Sequence, residues 1–117
     1  PDSFSDGGTA TSVAHALAHA TALLGQGADC LDVGGESTAP GRIPIDAATE
    51  RARVLPVVEA LVSRWPDVVV SVDTMKGEVA RDVLAAGAHV INDVTAGRHD
   101  PRLLDAVAAA GAGVVLM

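Results

Sequence analysis

The sequence predicts an α/β fold in which parallel strands alternate with helices, forming part of a (β/α)8 barrel. Three observations carry that reading. Short β-branched runs, "VVVSVD" at 68–73 being the clearest, alternate strictly with helical patterns, which demands right-handed parallel crossovers. Phe4 and Trp65 are the only aromatic residues in a chain that is 49% hydrophobic, so the core must be Val, Leu, Ile and Ala, as in helix-covered parallel sheets. Three successive strands also end in polar clusters, at 32–38, 73–74 and 92–93, the end at which a barrel gathers its chemistry. The competing architecture, an open doubly wound sheet, usually carries GxGxxG after an early strand, and that fingerprint is absent from the sequence.

The elements follow in order. "PDSFSDGG" at 1–8 reads as a turn-rich loop. Val13, Ala16, Leu17, Ala20, Leu23 and Leu24 stand at helical spacing over 9–24, with Gly25 and Gly27 as stop signals. A buried strand over 30–33 then breaks at Gly34 and Gly35 into a polar loop reaching about Ile45. Asp46 is placed to cap a second helix with Val54, Val58, Leu61, Val62 and Trp65 on one face. Pro56 removes one hydrogen bond inside it and predicts a kink or restart, and Pro66 ends it. The strand at 68–73 leads to a helix over 75–86, stopped by Gly87. "HVINDV" at 89–94 is the next strand. Asp100 and Pro101 open a fourth helix, with Pro at its first position, that ends near Gly111, and "GVVLM" is the last strand. The 117 residues are expected to be a single partial-barrel domain, from the loop after strand one through strand five, with both ends truncated.

Eight Lys and Arg against 15 acidic residues give a net charge of −7, which opposes nucleic acid and anionic membrane surfaces and favours small-molecule partners. No apolar run reaches the ~20 residues of a membrane helix. A single cysteine, Cys30, allows no internal disulfide and suits a reducing cytoplasm.

Each polar cluster has a structural explanation beside a functional one. Asp73 and Thr74 are suited to capping the third helix, and Asn92 and Asp93 to forming a turn. Together, amide and carboxylate groups ending neighbouring parallel strands would point at one space, where a planar heterocycle rich in donors and acceptors can be read. Gly34 and Gly35 let backbone N–H groups approach an oxyanion, and Ser37 and Thr38 add hydroxyl donors, a pattern that reads as a phosphate or pyrophosphate cradle. In the first loop Asp6 fits a turn and Phe4 a packing contact, although an aromatic among glycines also suggests a ligand contact. His15 and His19 lie four apart but lack the glutamate of HExxH. Cys30 has no assignable base, and His89 and His99 fit no pattern.

"PDSFSDGG", "DVGGEST-P-G", "SVDTMK" and "VINDV", in this order and with these gaps, resemble the dihydropteroate synthase family of pterin-binding enzymes across the whole chain. The resemblance implies a (β/α)8 barrel that joins 4-aminobenzoate to 6-hydroxymethyl-7,8-dihydropterin pyrophosphate with Mg²⁺ assistance, in a homodimer that is the sulfonamide target. By resemblance Asp73 and Asn92 bind the pterin ring and Met117 lines its pocket. Ser37 and Thr38 belong to the second loop, which contacts pyrophosphate. Phe4 and Pro40 border the aminobenzoate pocket, and Asp6 stabilises a cationic pterin intermediate.

Two departures stand out. The family's "STRPG" reads "STAPG" here, and Arg42 is placed to reach back in place of the arginine lost at Ala39. The asparagine expected to ligate Mg²⁺ would precede Pro1, and the later strands that complete the site are missing, so the segment alone is expected to be inactive. The alternatives are a non-catalytic pterin-binding paralogue, to which Ala39 points, and a pterin-binding methyltransferase domain, which would not be expected to carry the "PDSFSDGG" loop.

Overall fold

The computed structural model describes residues 3–5, 10–34, 45–93, 95 and 98–116. Five strands, β1 (Ser3–Ser5), β2 (Cys30–Gly34), β3 (Val69–Asp73), β4 (Val90–Asp93) and β5 (Gly113–Leu116), alternate with α1 (Ala10–Gly25), α2 (Ala47–Arg64), α3 (Gly77–Ala85) and α4 (Arg102–Ala110). All neighbours pair in parallel and the sheet order is β1-β2-β3-β4-β5. Strands laid down in consecutive order show no topological switch point, so the sheet is an arc of a (β/α)8 barrel and not a doubly wound sheet.

The pleat sorts each strand into two faces. Leu31, Val33, Val70, Val72 and Ile91 are at most 1% exposed and join Ala20, Val54, Val58, Leu61, Val79, Val83 and Leu103 from the helices in one core. Burying each such aliphatic side chain stabilises the fold by about 1.5–3 kcal/mol. The alternate positions, Cys30, Asp32, Ser71, Asp73, Val90, Asn92 and Val115, lie on the opposite face, which in a closed barrel lines the interior. That face is only partly covered, with Val69 39% and Val115 49% exposed.

Local chemistry explains most boundaries. Asp46 Oδ1 accepts from the Thr49 amide at 2.7 Å and starts α2. Gly87 follows α3 with φ of +113°, and a Cβ there would sit 2.9 Å from Val62 Cγ1, so both backbone and space demand glycine. Gly111 ends α4 in a left-handed conformation.

Three expectations need correcting. Ser3–Ser5, read as loop, form a strand paired with Asp32–Gly34, because β2 offers them a free row of backbone partners. The chain therefore enters the sheet one strand earlier than the sequence predicts. Helix α2 runs through Pro56 without restarting: the carbonyl that loses its donor belongs to Ala52, on the exposed side of the helix where water can satisfy it. Helix α4 begins at Arg102, with Pro101 as the residue before it.

Candidate functional site

One row of the sheet gathers the candidate site residues of β3 and β4. Gly34 stands opposite Asp73, Asp73 opposite Asn92, and Asn92 opposite Val115, all at the carboxyl ends of their strands and all on the face turned away from the helices. Asp32 lies on the same face two residues down β2, opposite Ser71. Asp73 and Asn92 are joined directly, the Asn92 Nδ2 donating to Asp73 Oδ1 at 3.0 Å. A carboxylate can only accept, so this bond sets the orientation of the amide and turns Asn92 Oδ1 the other way. That oxygen is buried without a hydrogen-bond partner among the described residues. An orphaned buried acceptor is costly in a protein interior unless something supplies a donor.

The electrostatics agree. Burial pushes the Asp73 carboxyl above its ordinary value, the Asn92 hydrogen bond offsets part of this, and the Asp32 charge adds to the rise. Two acceptors, one of them a carboxylate disfavoured in its unliganded state, thus share a space at adjacent strand ends. This arrangement suits a ligand edge that presents several N–H donors.

The structure splits each polar doublet between its two readings. Thr74 is buried and its Oγ1 accepts from the Lys76 amide at 3.2 Å, a local turn ahead of α3. Asp93 is wholly buried on the helix side, where its Oδ1 accepts from Thr95 N and Thr95 Oγ1, both at 2.8 Å, so it is the turn former of its pair. Asp73 and Asn92 take neither structural role and are bonded to each other. Phe4 is the central residue of β1, in register with Val33. Asp6, Ser37, Thr38, Pro40, Arg42 and Met117 lie outside the described residues.

The other candidates resolve into structure. His15 and His19 are on the exposed side of α1. Burial, with a smaller contribution from Asp32, pushes the Cys30 thiol up, away from a reactive thiolate. His89 holds the start of β3: its Nδ1 accepts from the Val70 amide at 3.0 Å, and its own amide donates to Val70 O at 2.9 Å. Among the described residues no three His, Cys, Asp or Glu side chains are grouped to hold a metal ion, so none of them is assigned to Mg²⁺. A shallow groove of about 370 Å³ between α2 and α3 lies on the outer surface, and its Arg51 and Arg81 are both engaged by Asp82.

Sequence reasoning missed two long-range contacts made at the connection into α3. Glu50, 1% exposed in the first turn of α2, pairs with Lys76 Nζ at 2.6 Å just before α3. Asp100 accepts from the Gly77 amide at 2.8 Å. Neither long-range contact carries a local signal, because each partner comes from a different βα unit; for Asp100 the sequence shows only its place at the start of α4.

Comparison with known proteins agrees with this geometry. The pterin binding enzyme family matches residues 1–117. The dihydropteroate synthases of Staphylococcus haemolyticus and Escherichia coli K12 are 49% and 48% identical over all of this chain, which spans 43% and 41% of their lengths. Among solved structures, the dihydropteroate synthase of Xanthomonas albilineans with 4-aminobenzoic acid superposes on 97% of this chain and 41% of its own, at 53% identity and a TM-score of 0.85. The Yersinia pestis enzyme in a sulfonamide drug complex covers all of this chain and 42% of its own, at 48% identity and a TM-score of 0.86. With a paired carboxylate and amide at the strand ends, a consecutive parallel sheet and a family match along its whole length, the chain belongs to the pterin binding enzyme family.

Proposed function

We propose that this protein is a transferase of folate synthesis that condenses 6-hydroxymethyl-7,8-dihydropterin pyrophosphate with 4-aminobenzoate, giving dihydropteroate and pyrophosphate. The observation that carries the reading is the Asp73–Asn92 pair, with its open, buried Asn92 Oδ1 and its raised Asp73 carboxyl. A pterin edge offers N–H donors to both acceptors, and donation to Asp73 would favour its ionised form. The relatives solved with 4-aminobenzoic acid and with a sulfonamide drug support the second substrate.

In this reading the arylamine nitrogen attacks the pterin methylene, the carbon–oxygen bond to pyrophosphate breaks, and the amine loses a proton. Asp73 and Asn92 would hold the ring still while charge develops on the methylene, and the family resemblance gives Met117 a part in the same pocket. Asp6 would stabilise that developing charge, Ser37 and Thr38 would donate to the departing pyrophosphate, and Phe4 and Pro40 would border the aminobenzoate. Arg42 would serve in place of the arginine missing at Ala39. Mg²⁺, which the resemblance implies, would neutralise the leaving group when bound. No protein nucleophile is required.

Since the chain spans about two fifths of its curated relatives, activity is assigned to a barrel completed by further strands, working as a cytoplasmic homodimer, with these 117 residues inactive by themselves. No helix among the described residues is long and apolar enough to cross a membrane. The test is an assay of the complete barrel with labelled 4-aminobenzoate and the pterin pyrophosphate. Labelled dihydropteroate supports the reading. Pterin binding without product would favour the non-catalytic paralogue, and no pterin binding would refute both.

A further inference from the structure

We propose that Asp100 is a positioning residue for the pterin-binding pair, closing a ring of hydrogen bonds that fixes Asp73 against Asn92. The inference rests on the pterin reading above and extends it to a residue outside the pocket. One arc of the ring follows the connection out of β3: Thr74 N donates to Asn92 O at 3.2 Å, Lys76 N to Thr74 Oγ1 at 3.2 Å, and Gly77 opens α3. The other follows the connection out of β4: Asp93 Oδ1 holds Thr95, Thr95 Oγ1 accepts from His99 N at 3.2 Å, and Asp100 follows. Besides that Thr74–Asn92 bond, the arcs meet at two further places. At the site the Asn92 amide bonds Asp73 at 3.0 Å, and at the far end Asp100 Oδ2 accepts from Gly77 N at 2.8 Å.

The far junction is built for close approach. A Cβ on Gly77 would lie 2.9 Å from Arg102 Cβ and 3.0 Å from Asp100 Oδ2, so only glycine lets the connections touch. Arg102 orients the acceptor, its Nε and Nη2 each 3.0 Å from the Asp100 carboxylate. The same guanidinium holds the Asp100 carboxyl well below the usual carboxylate range, with the Gly77 amide adding to the effect, so the acceptor stays charged at neutral pH. Opening this end leaves the two connections joined, among these bonds, only by the Thr74–Asn92 and Asn92–Asp73 contacts at the strand ends.

The test uses the complete barrel and 6-hydroxymethyl-7,8-dihydropterin pyrophosphate. Asp100→Ala is expected to weaken pterin binding about tenfold, while Asp100→Asn, whose amide oxygen still accepts from Gly77, recovers most of the loss. A folded Asp100→Ala protein that binds pterin unchanged overturns the proposal. Amide exchange at Gly77 in the unsubstituted protein needs no variant to fold. Coupling between sites is reciprocal, so bound pterin should slow exchange at Gly77 more than at Leu24 in α1. Equal slowing at both amides also overturns it. Pterin binding without these effects sinks the role of Asp100 alone, whereas no binding by the unsubstituted protein sinks the functional reading and this proposal together.

Discussion

Replacing Asp73 by Asn should separate ligand binding from folding. The carboxyl is raised by burial, only partly relieved by the Asn92 amide, and raised further by Asp32. Its folded value therefore lies above its unfolded one, so the folded state is disfavoured by ionisation. That cost is absent below the ordinary value, grows as pH rises through the folded value, and is complete above it. Asparagine has the same shape and no charge, and its oxygen can still accept from Asn92 Nδ2. At about pH 8 the variant should unfold at the same temperature as the unsubstituted protein or a higher one, and any gain should shrink as pH is lowered towards about 4. Pterin binding should suffer, because a hydrogen bond to a charged group is worth about 1.5–3 kcal/mol. Losing one such bond weakens affinity about 10- to 150-fold. Thermal unfolding at both pH values, with calorimetric titration of the pterin, reads both quantities. An Asn variant that melts several degrees lower at the higher pH would mean Asp73 holds the fold together, and unchanged affinity would remove it from the site.

Other substitutions test the frame around this pair. Gly87→Ala forces a left-handed residue with a Cβ 2.9 Å from Val62 Cγ1 and should cost about 2 kcal/mol or more in denaturant unfolding; a loss of a few tenths would contradict that geometry. Lys76→Met strips the buried Glu50 of its cation and should destabilise by about 3–5 kcal/mol, with much of the loss recovered when Glu50→Leu is added. If the double variant is no better than the single, the pair is not what the single change breaks. Arg42→Ala should lower affinity for the pterin pyrophosphate but not for the pterin lacking its phosphates, and an equal effect on both would deny Arg42 a phosphate role.

Strand ends and helix faces were legible because their causes are local. The β-branched run at 68–73 needed only its own side chains to favour a strand. Asp46 reaches a donor three residues on, and Gly87 carries its conformational freedom wherever it stands. The motifs around Asp73 and Asn92 were equally readable as polar strand ends, which is where β3 and β4 place them. The short strand at Ser3–Ser5 was not, because three residues form a strand only when a neighbour presents an open edge, and that edge belongs to β2.

Apart from Ser3–Ser5, the sequence by itself determined which segments become strands and helices, that the strands run parallel, and which residue types crowd their carboxyl ends. Only the tertiary structure decided how each polar pair divides, joining Asp73 to Asn92 on the face away from the helices while Thr74 and Asp93 serve the turns. It alone buried Glu50 beside Lys76 and brought Asp100 to Gly77. The physical reason is range. Propensity, capping and turn chemistry act over a few neighbouring residues, whereas the direction of a side chain and the partner of a charge depend on groups 19 to 26 positions away, brought within bonding distance only when the sheet and its helices close together.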